Sequence, residues 1–379
     1  MSSKIRGIEV YYLQIPFKKT FSISKGTVGG PGKPGDHIYV KVFTGDGLEG
    51  WGEVRPSPSW MYENPYSVVS AIKYYLAEAI RGLEPYQIRE ALSRMDKVLA
   101  LTLTAGMPFA KSGVEVALYD LVGRLYGAPL HALIGGKRRS YIEMSYLVSG
   151  TPEEIRKQCR EALRKEYKLI KLKLMGDSEE DYMRLKIVLE ETGDKGTKVW
   201  LDANQAYGRH SLAHFFRKIS LHLDRVVVFE QPVSASDFET MKYARRLSPI
   251  PLAADESVYT VHDLAKLVRF DAVDAVVLKL AKSGIAENLK IASLAEAFGL
   301  DLYGSGMTES GVGLAASVHL FSVLNIVAPV DTNGPQFLED LVVDGLLIEE
   351  NRVKVPDKPG LGVKVNEEKL EEYRTDIKM

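Results

Sequence analysis

The strongest constraint on the fold of this chain is an alternation of short apolar strands with amphipathic helices, which begins near residue 140 and continues for about 190 residues. Strands are predicted at residues 141–148, 169–174, 198–201, 225–229, 251–254, 275–280, 300–303 and 325–330. Helical spacing occurs between most of them, at residues 152–165, 179–191, 236–247, 261–269 and 284–298. Eight strand–helix units are typical of a (β/α)8 barrel, the TIM-like form of an α/β fold.

The alternative to a barrel is an open, doubly wound parallel sheet, which also alternates strands with helices. Such folds commonly carry a G-x-G-x-x-G motif between the first strand and the first helix, where it binds the phosphates of a dinucleotide. No such motif opens the first strand–helix unit here. The barrel is therefore the favoured prediction.

The first third of the chain has a different pattern, with strands first and helices afterwards. Strands are predicted at residues 5–13 and 37–43, a hairpin turn at residues 44–47, and helices at residues 66–80, 85–98 and 109–126. Residues 22–36 contain five glycines and two prolines, and they are predicted to form a mobile surface loop. This order is typical of an α+β domain.

These patterns divide the 379 residues into three parts. We expect residues 1–128 to form an α+β capping domain, residues 129–335 to form the barrel, and residues 336–379 to return to the capping domain as a tail. A chain of this length is two to three times as long as a typical domain of about 150 residues, which is consistent with such a division.

Composition limits the partners that this chain can have. Its 49 basic and 50 acidic residues give a formal charge of -1, and neither sign is gathered into a block, so we expect no nucleic acid and no membrane as partner. Cys159 is the only cysteine, which rules out an internal disulfide and favours the cytoplasm. Neither the first 17 residues nor the apolar residues 311–330 predict a signal or a membrane span. We also expect a homo-oligomer.

Polar and charged residues cluster at the predicted carboxyl ends of the barrel strands, which all open at one mouth. They are Lys171 and Lys173 on the second strand, Asp202 and Asn204 after the third, Glu230 after the fourth, Asp255 after the fifth and Lys279 on the sixth. Taken singly, each has an ordinary explanation, since an acid after a strand often caps a helix and a lysine is often solvated. Together they indicate a site.

The three acidic residues of this cluster predict a divalent metal ion. Asp202, Glu230 and Asp255 end three consecutive strands, at intervals of 28 and 25 residues, and their carboxylates would repel one another without a cation. Oxygen ligands suit Mg2+ or Mn2+, whereas zinc prefers histidine or cysteine.

The lysines predict proton transfer. Lys171 and Lys173 share one face of their strand, and Lys279 lies on the opposite side of a closed barrel. A neighbouring ammonium group and a metal ion both lower the pKa of a lysine, so Lys173 is expected to act as a base. This arrangement suits removal of the proton α to the carboxylate of a small-molecule substrate, with the metal stabilising the enediolate.

With these residues, the chain resembles the enolase superfamily and, within it, the muconate lactonizing enzyme subgroup. The segments that carry the resemblance span nearly the whole chain: GDGLEGWGEV, the lysine pair, DANQAY, FEQPV, ADES, LKLAKSG, MTES and PGLGV. The resemblance implies Asp202, Glu230 and Asp255 as ligands of Mg2+, with Mn2+ as a possible substitute. It also implies Lys173 and Lys279 as acid/base catalysts and Lys171 as a residue that tunes Lys173. Glu309 is implied as a further residue of the catalytic site that hydrogen-bonds the substrate or the intermediate. A lysine or histidine base with Mg2+ is a known property of this superfamily and not a deduction from spacing.

Departures from the family pattern bear on the substrate. The stretch 302–306 lacks the histidine of mandelate-racemase-like members, which disfavours that branch. Dipeptide epimerases carry Asp-x-Asp where this chain has Asp331-Thr332-Asn333, which puts a dipeptide substrate in doubt. The family's usual double glycine is Gly284-Ile285 here. We expect Asp331, Asn333, Asn204 and Trp60 to bind the substrate. Trp60 belongs to a segment that forms a lid or, equally, packs on its own domain.

Three functions are compatible with this site. The first is a racemase or epimerase of an amino-acid derivative or related carboxylate, in which one lysine removes the α-proton and the other returns it on the opposite face. The alternative is a cycloisomerase of the muconate-lactonizing type, or a dehydratase of the o-succinylbenzoate synthase type, with one lysine as the base. A metal-binding barrel without catalysis is disfavoured because it would not need bases on both faces. His319, on an apolar helix, is expected in the core and not as a ligand.

Overall fold

The computed structural model describes residues 4–102, 105–193, 196–220, 222 and 224–377. The chain opens with the strands β1 (Ile5–Ile15), β2 (Phe21–Ile23), β3 (Gly26–Gly29), β4 (Gly35–Thr44) and β5 (Glu49–Val54). Strands β1, β4 and β5 form an antiparallel sheet in the order β1-β4-β5, with the predicted turn between β4 and β5. Residues 22–36 were predicted to be a loop, which is wrong for most of their length, because β2 and β3 pair as a short hairpin and β4 begins at Gly35.

Helices cover this sheet. They are α1 (Pro65–Ala71), a π-helical turn (Ile72–Leu76), α2 (Ala77–Ile80), α3 (Ile88–Val98), α4 (Pro108–Tyr126) and α5 (Leu130–Leu133). Helix α4 packs directly on β5, because a Cβ atom at Gly50 would lie 2.2 Å from the Ala117 carbonyl oxygen, and one at Gly52 would lie 2.0 Å from that of Gly113. The two glycines around Trp51 therefore set the distance between sheet and helix.

The barrel strands follow in chain order. They are β6 (Tyr141–Glu143), β7 (Tyr146–Val148), β8 (Leu169–Lys173), β9 (Lys198–Asp202), β10 (Val226–Glu230), β11 (Leu252–Ala254), β12 (Ala275–Lys279) and β13 (Asp301–Ser305). Within the described ranges, β7 to β13 form one parallel sheet of seven strands, whereas β6 pairs with a strand of the tail. The predicted strand at residues 325–330 is not a regular strand. Single parallel bridges from Ile326 and Asp331 to β13, and from Val330 to Met144, still close the ring.

Helices surround the barrel strands. They are α6 (Pro152–Arg164), α7 (Ser178–Thr192), α8 (Arg209–Ile219), α9 (Phe238–Leu247), α10 (Val261–Phe270), α11 (Leu280–Ala297), α12 (Gly311–Val323) and α13 (Gly334–Phe337). Thr151 and Thr260 begin α6 and α10 with capping boxes. Helix α11 starts directly after β12 and kinks at Gly284, where φ is 69°. In the part of the chain that the structure describes, no helix has both the length and the apolarity needed to cross a membrane.

The tail consists of β14 (Val343–Asp344), β15 (Ile348–Glu349), β16 (Arg352–Lys354), β17 (Lys364–Val365) and α14 (Glu367–Tyr373). It contacts the first third of the chain, since the Leu361 amide donates to Asp120 on α4 at 2.7 Å and Arg374 forms a bridge to Leu13 on β1. The domain boundaries at residues 128 and 335 stay a prediction.

The alternation of side chains along the barrel strands directs the candidate residues towards the barrel axis. A separate apolar cluster fills the barrel interior and consists of Leu169, Trp200, Val228, Ala253, Ala275, Val277 and Tyr303. Lys171, Asp202, Glu230, Asp255 and Lys279 each lie two residues after a member of this cluster. Because side chains two apart on a strand share a face, these five also point inward, above the apolar layer.

Candidate active site

Strand register places the acidic residues side by side. In the parallel sheet, Asp202 is the register partner of Lys173 on one side and of Glu230 on the other. Glu230 is in turn the partner of Ala253, two residues before Asp255. The side chains of all three acids are fully buried. Carboxylates that the sequence separates by 28 and 25 residues are therefore neighbours at the barrel mouth.

Lys171 lies among three carboxylates. Its Nζ is 2.8 Å from Glu230 Oε2, 2.9 Å from Asp331 Oδ2 and 3.1 Å from Asp202 Oδ2, and 4.4 Å from the centre of the Trp200 ring. Burial lowers the pKa of Lys171, but the three carboxylates outweigh burial and hold that pKa well above its ordinary value. Lys171 is therefore a fixed positive charge, and its ammonium group is not available as a base.

Lys173 contacts the same acidic cluster from higher on β8. Its Nζ donates to Asp202 Oδ2 at 2.5 Å and to Asn204 Oδ1 at 2.9 Å. Asn204 in turn donates to Glu256 Oε1 at 3.1 Å. Burial, followed by repulsion from Asp255, raises the pKa of Glu256 to about 7. The sequence did not single out Glu256, although it directly follows a predicted ligand.

Lys279 approaches from the opposite side of the barrel. Its Nζ donates to Asp255 Oδ2 at 2.6 Å. Lys282, which the sequence did not single out, is also fully buried and donates to the Asp255 side chain at 2.9 Å and to the Asp255 carbonyl at 2.6 Å. Burial would raise the pKa of Asp255, but Lys279 and Lys282 hold it below its usual range. The sequence did contain a signal for Lys282, because this lysine lies about one helical turn after Lys279 in an otherwise apolar segment.

The residues present fit a divalent cation by their chemistry. Glu230 Oε1 is buried without a hydrogen-bond partner, and Oε2 has only the Lys171 ammonium group beside it, at 2.8 Å. Burial, followed by repulsion from Asp202, raises the pKa of Glu230 well above its ordinary value. A cation between these carboxylates would relieve that repulsion, and oxygen donors suit Mg2+. Within the described ranges, no three ligand-type side chains already surround a common point. Lysine ammonium groups lie between them instead.

A cavity of about 380 Å³, part of which is open to solvent, lies over this cluster. Its walls include Lys173, Lys279, Asn204, Asp331, Asn333, Trp60, Arg55, Phe21, Ile23, Val28, Met307 and Thr308. Lys173 and Lys279, predicted to be catalysts, thus line one cavity together with Asn204, Asp331, Asn333 and Trp60, predicted to bind the substrate. Glu309, also predicted to contact the substrate, is not among the lining residues. The hairpin of β2 and β3 supplies Phe21, Ile23 and Val28 to the apolar wall, so part of residues 22–36 lies at the site.

Trp60 covers Lys279. The Nζ of Lys279 lies 4.4 Å from the centre of the Trp60 ring, and this ring packs between Phe109 of α4 and Tyr259. Trp60 therefore packs against α4 of its own domain and also forms a wall of the cavity, while a role of its segment as a lid stays a prediction.

Asp331 is already engaged by other side chains. Besides the ion pair with Lys171, it accepts hydrogen bonds from Ser305 Oγ at 3.2 Å and from Asn333 Nδ2 at 3.2 Å. Asp331 therefore already has three polar partners before any substrate binds.

Glu309 is buried, and its Oε2 accepts from the Met307 amide at 2.7 Å. Burial raises the pKa of Glu309 to about 7, so the carboxyl group is partly protonated near neutral pH. Met307 and Thr308, on the same loop, reach the cavity wall.

Two family models match most of the chain. Residues 8–135 match the mandelate racemase / muconate lactonizing enzyme N-terminal domain, and residues 154–369 match the enolase C-terminal domain-like family. The L-Ala-D/L-Glu epimerase of Clostridium acetobutylicum is 30% identical over 95% of this chain and 98% of its own. The N-succinyl-L-Arg/Lys racemase of Bacillus cereus is 28% identical over 97% of each chain.

Solved structures agree with these relatives. A muconate lactonizing enzyme from Pseudomonas fluorescens, complexed with muconolactone, superposes with a TM-score of 0.92 at 28% identity, over 99% of this chain and all of its own. A dipeptide epimerase from Enterococcus faecalis, complexed with Mg and the dipeptide L-Leu-L-Tyr, superposes with a TM-score of 0.87 at 29% identity. The superposition covers 95% of this chain and 99% of the epimerase chain. We conclude that this chain is an isomerase of the enolase superfamily and belongs to its muconate lactonizing enzyme subgroup.

Proposed function

We propose that this enzyme is a racemase or epimerase that moves the proton on the carbon α to a substrate carboxylate, with Lys173 on one face and Lys279 on the other. The observation that carries the proposal is the position of the two lysines. Both line one cavity, and their strands β8 and β12 are four positions apart in a ring of eight. A substrate carbon between them has an amine on each side, as a two-base exchange requires.

The three carboxylates on the strands between the lysines are the proposed ligands of Mg2+. When bound, a divalent cation supplies positive charge to the substrate carboxylate and makes the α-proton more acidic. The chain's own residues hold the rest of the site in place. Lys171 forms ion pairs with Asp202, Glu230 and Asp331, whereas Asn204 positions the Lys173 amine.

The substrate class follows in part from Asp331. Because this carboxylate is paired with Lys171 and Asn333 stands where a second acid would be, the site lacks a free carboxylate at this place to bind an ammonium group. This favours an amino-acid derivative whose amine is blocked over a dipeptide with a free amine. The likeness to an N-succinyl-L-Arg/Lys racemase supports the same class.

A cycloisomerase or dehydratase is the second candidate. The structural likeness to a muconate lactonizing enzyme, at a TM-score of 0.92, favours it. In that case one lysine transfers the proton, and the other remains protonated and only stabilises negative charge.

Deuterium exchange in D2O separates these functions. Lys279→Ala is expected to stop racemisation but to allow exchange into the enantiomer whose α-proton faces Lys173, because strands β8 and β12 approach the carbon from opposite sides. Lys173→Ala is expected to give the reciprocal result. Each enantiomer of a set of N-acyl amino acids is incubated with each variant, and deuterium is measured by mass spectrometry.

Lys198→Ala is the matched control, because Lys198 lies at the opposite end of β9 and is exposed. It should exchange both enantiomers like the parent. Turnover of Lys279→Ala within a few-fold of the parent would exclude the two-base mechanism and favour the cycloisomerase or dehydratase. A parent enzyme that exchanges neither enantiomer of any substrate would contradict the proposed function as a whole.

A further inference from the structure

Lys282 is a buried lysine that the proposed mechanism does not use. Only 1% of its surface is exposed, and its Nζ donates to three acceptors: the Asp255 carbonyl at 2.6 Å, Asp255 Oδ1 at 2.9 Å and the Val277 carbonyl at 3.0 Å. An ammonium group has three N–H donors, so every donor of Lys282 is used within the protein.

Lys282 also differs from the predicted catalysts in the space that it faces. The walls of the substrate cavity include Lys173 and Lys279 but not Lys282, which lines a separate cavity between α4 and α11. Lys282 therefore contacts Asp255, a proposed metal ligand, from outside the substrate cavity.

The turn that carries Lys282 is anchored on both sides. Ser112 Oγ on α4 donates to the Leu280 carbonyl at 2.8 Å, and Ser283 Oγ donates to the Tyr259 carbonyl at 2.9 Å. The Lys282 ammonium group lies 6.0 Å from the centre of the Tyr259 ring. Because residues before and after Lys282 are held by these hydrogen bonds, its ammonium group is placed by the fold of the surrounding segments.

The two aspartates among the proposed ligands are held in the same way. Asp202 Oδ1 accepts from the Asn204 amide at 3.0 Å, and Asp255 Oδ1 accepts from Lys282 at 2.9 Å. In each aspartate the other oxygen, Oδ2, accepts from a cavity lysine, at 2.5 Å in Asp202 and at 2.6 Å in Asp255. A donor outside the cavity thus holds one oxygen of each aspartate, and for Asp255 that donor is Lys282.

We propose that Lys282 is a positioning residue of the metal site, which fixes the orientation of the Asp255 carboxylate independently of Lys279. The inference rests on the proposed function, which makes Asp255 a ligand of Mg2+. Mg2+ requires a nearly ideal arrangement of its oxygen ligands. Groups that orient a metal ligand by hydrogen bonding typically contribute about ten- to hundredfold to metal affinity.

The charge and the hydrogen bonds of Lys282 have opposite effects on metal binding. A positive charge beside a ligand repels a cation, so removal of the charge alone would strengthen Mg2+ binding. Loss of a fixed ligand orientation would weaken Mg2+ binding. The sign of the change in affinity therefore shows which of the two effects dominates.

Lys282→Met tests the inference, because it removes the ammonium group and keeps an unbranched side chain. We expect this variant to bind Mg2+ about tenfold or more weakly than the parent, since Asp255 loses the donor to Oδ1. Calorimetric titration of the full chain with Mg2+ measures the affinity, and circular dichroism checks the fold.

Two other lysine variants are matched controls. Lys111→Met removes another buried ammonium group, which donates to Asp96 at 2.7 Å and to the Leu99 carbonyl at 2.6 Å. Lys290→Met removes a positive charge from α11 itself, where Lys290 is exposed and pairs with Glu287 at 2.8 Å. Both variants should keep a Mg2+ affinity within about threefold of the parent.

Equal or tighter Mg2+ binding by Lys282→Met would overturn the inference, and so would an equal loss of affinity in Lys111→Met. A crystal structure of the parent with Mg2+ tests the inference even if Lys282→Met does not fold. Lys282 should remain hydrogen-bonded to Asp255 Oδ1 in that structure, and its departure from this oxygen would overturn the inference.

The same measurements separate the inference from the proposed function. A parent without affinity for Mg2+ would overturn both. If Lys282→Met loses Mg2+ affinity as expected but the parent exchanges no α-proton of any substrate, the proposed function is contradicted and the role of Lys282 is supported.

Discussion

The Lys171 ammonium group lies within 3.1 Å of three carboxylates, those of Asp202, Glu230 and Asp331. One positive charge cannot neutralise three negative ones, and Oε1 of Glu230 remains without a partner. The residue that most needs a further cation is therefore Glu230, at the centre of the acidic cluster. Lys171 reduces the repulsion among these carboxylates, and a bound divalent cation would reduce it further.

Glu230→Gln should weaken Mn2+ or Mg2+ binding by about 100-fold or more, because it removes the charge of the central ligand. Calorimetric titration with either metal ion measures the effect, and circular dichroism checks the fold. Asp331→Asn is the matched control, since Asp331 also pairs with Lys171 but is not a proposed ligand. It should change the metal affinity by less than about threefold. Unchanged affinity in Glu230→Gln, or full activity of the parent after exhaustive EDTA treatment, would rule out the proposed metal site.

Single residues at strand ends could be predicted from the sequence because a strand's alternation fixes the face of each side chain. Asp202, Glu230, Asp255 and the lysines are brought together for that reason. Arg55 and Lys282 were missed, because their burial depends on packing between segments far apart in sequence, such as Val28 and Met307 around Arg55. The contact between Lys171 and Asp331 also could not be predicted from the sequence, because only the folded structure brings Asp331 next to Lys171.

Among the elements, the strands and helices with strong periodicity were predicted to within a few residues, as for α6, α10 and β12. Prediction from local sequence pattern failed for segments whose structure is determined by contacts with distant parts of the chain. Residues 22–36 are rich in glycine yet form a hairpin that packs on Phe17, and residues 325–330 are apolar yet form only single bridges. Helix α12 is buried along nearly its whole length, so it shows no amphipathic signal.

The kink of α11 links two elements that the sequence does not connect. Glu115 on α4 accepts hydrogen bonds from the amides of Ile285 and Ala286, at 3.0 and 2.8 Å, where the helix restarts after Gly284. A Cβ at Gly284 would lie 1.8 Å from the Glu115 carboxylate. Gly284, the one glycine that remains of the family's pair, is therefore required for this contact between α4 and the helix after Lys279.

Gly284→Ala should lower the free energy of unfolding by about 2 to 4 kcal/mol, since it combines an unfavourable positive φ with displacement of a buried carboxylate. Gly299→Ala separates the two effects. Gly299 has nearly the same φ, 67° against 69°, but a Cβ atom at this position would meet no other atom within 4 Å, so its loss should be about 1 kcal/mol. Urea unfolding of both variants measures the difference, and equal losses would show that the contact with Glu115 contributes nothing.

At the scale of the whole molecule, buried polar side chains join parts of the chain that are distant in sequence. Asp120 on α4 accepts from the amides of Trp51 on β5 and Leu361 in the tail, and Glu53 on β5 accepts from Ser310 and Gly313 at the start of α12. Because these acceptors satisfy backbone amides of another segment, none of these segments can separate without leaving buried donors unpaired. The hydrogen bonds therefore hold β5 against α4 and the start of α12, and hold α4 against the tail.

His319 on α12 also joins distant parts of the chain, since it is hydrogen-bonded both to α5 and to the tail. This link is expected to depend on pH. Its Nδ1 accepts from the His131 amide at 3.2 Å, which leaves the proton on Nε2, and Nε2 donates to the Leu361 carbonyl at 3.1 Å. The side chain is thus a satisfied core residue, as the sequence predicted, and only its neutral form fits. Burial lowers the pKa of His319 from 6.5 to about 4.

A lowered pKa in the folded state means that the unfolded chain binds the proton more readily, so the stabilisation by His319 is fully present above pH 6.5 and is lost as the pH falls towards 4. The loss should reach about 2 kcal/mol at pH 5. The difference in unfolding free energy between the parent and His319→Asn should therefore shrink by about that amount between pH 7 and pH 5, as measured by urea unfolding. His262→Asn, which removes an exposed histidine, should show no such change. A difference that stays constant with pH would mean that the tail and α12 tolerate a charged His319, and the proposed link between them would be wrong.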